Sequence, residues 1–145
     1  MDGQDEVLGL TAFIKSFNMN FVWVTGPDES FINELVSTFP EIREYVLNED
    51  NNGLIHIQVG DFTIFTQKAI DDNNVPLALK CFKFVEEVIN KVKPKTKDAL
   101  IISWIFHLYF GRNESLYAQF PPGLKEIRNK LEEKEAEYVL KNRVN

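Results

Sequence analysis

Residues 75–92, VPLALKCFKFVEEVINKV, place Leu77, Cys81, Val85, Val88 and Val92 three or four residues apart, with lysines and glutamates between them. That spacing puts one apolar stripe on a helix and a solvated face opposite. Asn74, just ahead, is a residue type whose side chain caps a helix N-terminus. An amphipathic helix over 75–92 therefore follows, with Cys81 in its buried stripe as a small hydrophobe.

Working outward, residues 97–111, KDALIISWIFHLYFG, are apolar almost all round yet short of the roughly 18 residues a membrane span needs. They read as the central helix of a bundle, opened by Thr96 and ended by Gly111. His107 lies within it and is expected to be buried, bonded to a backbone or hydroxyl partner. Residues 121–142 carry Leu124, Ile127, Leu131 and Tyr138 among dense Glu/Lys pairs, the pattern of a surface helix packed by one edge.

On the N-terminal side, Phe31, Leu35 and Phe39 recur on one helical face, with Asp28 or Ser30 as cap. Pro40 starts a second short helix over 40–49, with Glu41 near its positive end. The two form an αα-hairpin. Residues 54–59, LIHIQV, alternate like a strand, whereas from Asp61 onward Phe62, Phe65 and Ala69 take helical spacing. A short extended piece followed by a helix capped by Asp61 is expected there. Residues 5–17 can form a first helix with Val7, Leu10, Ile14 and Phe17 on one face, and 20–27, NFVWVTGP, is either strand or extended linker.

The expected fold class is all-α. About seven short helices make a single-domain bundle over residues 1–145, the usual size for one core. One Cys in the chain excludes an internal disulfide and any zinc site of several thiolates. No apolar run suits a membrane, and the first residues, MDGQDEVLGL, lack the basic start of a secretory signal. A cytoplasmic protein follows.

Charge is uneven. Residues 1–61 hold 11 acids against two bases, Lys15 and Arg43. Such a half repels phosphate and disfavours nucleic acid, while it attracts a basic protein. Asp28, Glu29, Glu34, Glu41, Glu44, Glu49 and Asp50 form the candidate partner-binding surface, with Trp23, Tyr45 and Phe21 as candidate aromatic anchors. Asp71 and Asp72, before Asn73 and Asn74, read as a solvated helix end.

Catalytic motifs are missing: no HExxH, no GxSxG, no glycine-rich phosphate loop, and no ligand set that calls for a metal or cofactor. His56, Asp61 and His107 are the residues a small metal-dependent hydrolase would have to use. No catalytic residue is assigned from the sequence.

The stretches FPEIREYV, GLIHIQVGDFTIFTQKAI, LKCFKFVEEVI, DALIISWIFHL and PPGLKEI, in that order, resemble a bacterial family of small all-helical proteins of unknown function. The likeness runs over about residues 31–128. That family often has an acid before the late histidine, where this chain has Phe106. The resemblance implies a compact, somewhat HEAT-like helical domain of the kind also used as immunity proteins that block a toxin. Binding of a basic toxin domain, such as a nuclease, is the leading expectation, and the hydrolase is the alternative.

Overall fold

The computed structural model describes residues 28–143. The expected first helix over 5–17 and the strand-or-linker over 20–27, with Phe21 and Trp23, lie outside the described residues. Among those described there are seven α-helices and no strand, so the described part of the chain is all-α, as expected. The helices are α1 (Glu29–Thr38), α2 (Arg43–Val46), α3 (Ile55–Asp71), α4 (Val75–Val88), α5 (Pro94–Ala99), α6 (Glu114–Tyr117) and α7 (Pro122–Arg143). Two 3-10 turns, Pro40–Ile42 and Glu49–Asn51, flank α2, and a π-helix, Leu100–Ile105, prolongs α5.

Helix α1 starts where Asp28 Oδ1 accepts from Phe31 N at 3.2 Å. Asp28 Oδ2 also accepts from Thr96 Oγ1 at 2.5 Å and Lys93 N at 3.4 Å, so one carboxylate ties the start of α1 to the start of α5. Phe39, just past α1, is fully buried against Phe62, Phe65 and Phe84. Those rings come from α3 and α4, which is how the α1–α2 hairpin is fastened to the bundle.

Two expectations fail along α3 and the π-helix. Residues 54–59 are not extended: α3 begins at Ile55 and runs unbroken through Asp61, which is therefore no cap. A strand facing the core would bury Ile55, Ile57 and Val59 together, whereas Ile57 is 48% exposed. The buried set is Ile55, Gln58, Val59, Phe62, Thr66, Ala69 and Ile70, a stripe with helical period. The chain ahead turns at Gly53, whose φ of +77° suits glycine.

The predicted helix over 97–111 starts earlier, at Pro94, and ends earlier too. Thr96 does not cap it but is buried on Asp28. From Leu100 the turns widen, with Phe106 N reaching Ile101 O at 3.0 Å, and regular helix stops before His107. Gln67 of α3 then takes over the backbone of Tyr109, accepting from its N–H at 2.9 Å and donating to its carbonyl at 2.7 Å. Trp104, from the π-helix, sits fully buried between the rings of Phe62 and Phe120. Cys81 is fully buried in the stripe of α4, where the sequence puts it.

Candidate functional site

Of the seven acids assigned to the partner-binding surface, six are exposed: Glu29, Glu34, Glu41, Glu44, Glu49 and Asp50. Asp28 is not, being 3% exposed and committed to the cap and to Thr96. A capping side chain that also meets a buried hydroxyl is withdrawn from the outer acidic face. Arg43 is the sole base between residues 29 and 50. Glu29 and Glu34, five positions apart on α1, differ by about 140° around the helix axis, so the acids cover the α1–α2 hairpin rather than ringing one point.

Two apolar side chains stand out among these acids, Tyr45 at 65% and Leu47 at 42% exposure. Their segment is pinned from below. Asn51 Nδ2 donates to Tyr45 O at 3.0 Å and to Asp61 Oδ2 at 3.3 Å, and Gln58 Nε2 donates to Val46 O at 3.1 Å. Asn48 accepts from Asp50 N at 2.9 Å and so shapes the acidic turn after α2. Tyr45 and Leu47 are thus presented on a backbone held by side chains of the loop and α3.

Beside them lies a cavity of about 280 Å³, lined by Asp28, Glu29, Asn33, Leu47, Asn52 and Gln58 among others. The sequence gives no sign of it. Gln58 looks like a polar position in an alternating strand until the helical phase of α3 is known; then it falls on the inward face, 4% exposed.

A second surface gathers the residues of the enzymatic alternative. His56, Asp61 and His107 line one groove with Thr63, Ile64 and Ser103. His56 Nδ1 lies 3.3 Å from Ser103 Oγ, and burial holds its pKa below the usual value. Burial raises that of the Asp61 carboxyl. His107 is exposed rather than buried, because the helix that would have carried it inward has ended. Its Nδ1 meets Ile102 O at 2.6 Å, a contact that assigns the proton to Nδ1. Ser103 carries no motif in the sequence and could not have been singled out there.

Among the described residues no three His, Cys, Asp or Glu side chains come together as a metal-ligand set. Nor is any described helix long and apolar enough to cross a membrane. Asp72 pairs with Lys68 at 2.9 Å, and Asp71 with Gln67, both at the exposed end of α3 as expected.

No curated protein and no solved structure matches the chain. Residues 32–135, from the first buried turn of α1 to the middle of α7, match a family profile, and the chain belongs to that family, described as Domain of unknown function (DUF7674).

Proposed function

We propose that this chain is a protein-binding module that occludes the basic surface of its partner, acting as an immunity-type inhibitor of a toxin domain such as a bacterial nuclease. The observation that carries the reading is Tyr45, 65% exposed beside Leu47 within a segment where six acids reach solvent against one base. Interface hot spots are aromatic anchors in a rim of matched charge. Acids on a rigid support add steering toward a basic partner. A nuclease needs a positive surface to hold phosphate, so an acidic binder competes for that same surface.

The test immobilises the chain and asks for a basic protein retained one-to-one, whose enzymatic activity is titrated away by the free chain. Tyr45→Ala together with Glu44→Gln and Glu49→Gln is expected to release it. Retention unchanged by this triple substitution would refute the reading.

A second reading is kept because His56, Asp61 and His107 do converge on one groove. It is a small metal-dependent hydrolase. Stoichiometric metal in purified protein, lost together with activity in His56→Ala, would favour it over inhibition by binding.

A further inference from the structure

We infer that the cavity between α1, the end of α2 and α3 is a receptor for one basic side chain, a lysine ammonium or arginine guanidinium, presented by the partner protein. The inference rests on the binding reading for the source of that side chain, while the cavity's chemistry stands on its own residues.

Gln58 is the first observation. Its side chain is almost wholly buried, and its Nε2 is spent on Val46 O at 3.1 Å. The carbonyl at Val46 requires a donor, which fixes the amide orientation and makes Oε1 the remaining acceptor. That oxygen accepts no hydrogen bond from any described residue, yet no described side-chain oxygen or nitrogen sealed from solvent lacks a partner. Oε1 therefore keeps some exposed surface, and because Gln58 lines this cavity, a donor that enters it can reach that acceptor.

Charge is the second. Asp28 lines the same cavity, and the groups bonded to its carboxylate, Phe31 N, Lys93 N and Thr96 Oγ1, are all uncharged. Glu29 adds a second carboxylate at the wall, and Asn33 and Asn52 add amides. The Coulomb attraction between a cation and a carboxylate withdrawn from water is stronger than at an exposed acid, and the polar groups of the wall offset part of the cation's desolvation. Ile32, Val46 and Leu47 complete the wall, giving apolar surface for a methylene stem below a polar end, which is how Lys and Arg side chains bury themselves.

Size is the third. At about 280 Å³ the space falls just under the range of roughly 300–1,000 Å³ typical of small-molecule pockets. It suits one side chain better than a cofactor.

The experiment titrates the full chain with n-butylguanidinium, and in parallel with its neutral isostere n-butylurea, following backbone and side-chain amide resonances by NMR. Saturable shifts confined to Leu47, Gly53 and the Gln58 amide are expected with the cation, with the urea binding roughly tenfold or more weakly because it offers no charge-assisted bonds. Glu29→Gln should weaken the cation about two- to fivefold, the scale of one partly exposed charge. Asn33→Phe, at an exposed rim position, should block entry and abolish the shifts while leaving the melting curve intact. Equal binding of butylurea, or shifts spread evenly over Glu41–Asp50, would overturn the inference.

No partner is needed for that titration, so the two ideas fail separately. A cavity that takes butylguanidinium in a chain whose partner ignores Tyr45 and the acids sinks the binding reading alone. A chain that loses its partner on changing Tyr45 but never takes the cation sinks the cavity alone.

Discussion

The indole Nε1 of Trp104 donates a 2.9 Å hydrogen bond to the hydroxyl of Thr66, and neither residue exposes any surface. Thr66 passes its own proton back to Phe62 O one turn earlier in α3, at 2.9 Å. The π-helix is thereby keyed to α3 by a polar bond inside an aromatic cluster. Thr66→Val keeps the shape and removes the acceptor, leaving a buried N–H unpaired at a cost of about 1–3 kcal/mol. Urea unfolding should show a lower midpoint with unchanged slope. An unchanged midpoint would mean that the bond contributes nothing net.

Much of this architecture is legible in the sequence, because apolar period and caps decide helices wherever they agree. In α4 both agree, and Asn74 Oδ1 does accept from Leu77 N, at 3.4 Å. They part company in residues 54–59, where six residues cannot distinguish alternation from helix, and the deciding fact, whether Ile57 faces the core, belongs to the tertiary fold. Where the helix ends near His107, the backbone of Tyr109 is taken up by Gln67, 42 residues earlier in the chain. The acids of the candidate face could be found by counting charge. Gln58 could not, since its meaning depends on the phase of α3 and on a carbonyl at Val46.

Asp28 joins two distant helix starts, and its removal should be felt at both. Asp28→Ala loses the cap, worth about 1 kcal/mol, and leaves the buried Thr96 hydroxyl without its acceptor, worth about 1–3 kcal/mol more. Asp28→Asn keeps an acceptor and should cost less. Thermal unfolding followed by circular dichroism ranks the two, and equal melting temperatures would contradict the bridging role.

Burial pushes the Cys81 thiol up to about 11, so at neutral pH it is protonated and out of reach. A thiol reagent should label it only on unfolding, since the thiolate is the reactive form. The sign of the pH effect follows from the raised value. The unfolded thiol releases its proton near 9.0 and the folded one only near 11, so stability falls as pH rises through that window. Cys81→Ala should flatten the decline, and rapid labelling of folded protein would contradict the burial.

His56 works in the opposite direction. Its pKa is lowered by burial, so the folded state binds its proton more weakly than the unfolded state, whose value is 6.5. Its contribution to stability is complete above pH 6.5 and is lost as pH falls from 6.5 toward the folded value. Asp61, raised from 3.8 by burial, acts with reversed sign in the more acidic range. An NMR titration of the His56 ring should give a midpoint below 6.5, and His56→Gln should remove the slope just under that pH. A midpoint above 6.5 would show that a nearby anion, not burial, governs the imidazole.

The acidic face itself is tested by charge reversal. Glu41, Glu44, Glu49 and Asp50 are all exposed and make no side-chain ion pair with the described residues. Changing them to Lys should leave helix content and melting within about 0.5 kcal/mol of the parent, as exposed substitutions do. Association with a basic partner should slow markedly, and the parent's own rate should fall with added salt, because the screening length is about 8 Å at physiological ionic strength. Glu133 and Glu135 supply the control on α7. They are exposed and outside the ion pairs of that helix, whereas Glu132 holds Arg128 at 3.2 Å and would confound the comparison. Stopped-flow association rates for the two sets decide the matter. If both sets slow binding alike, only net charge is being felt, and the face around Tyr45 is not where the partner docks.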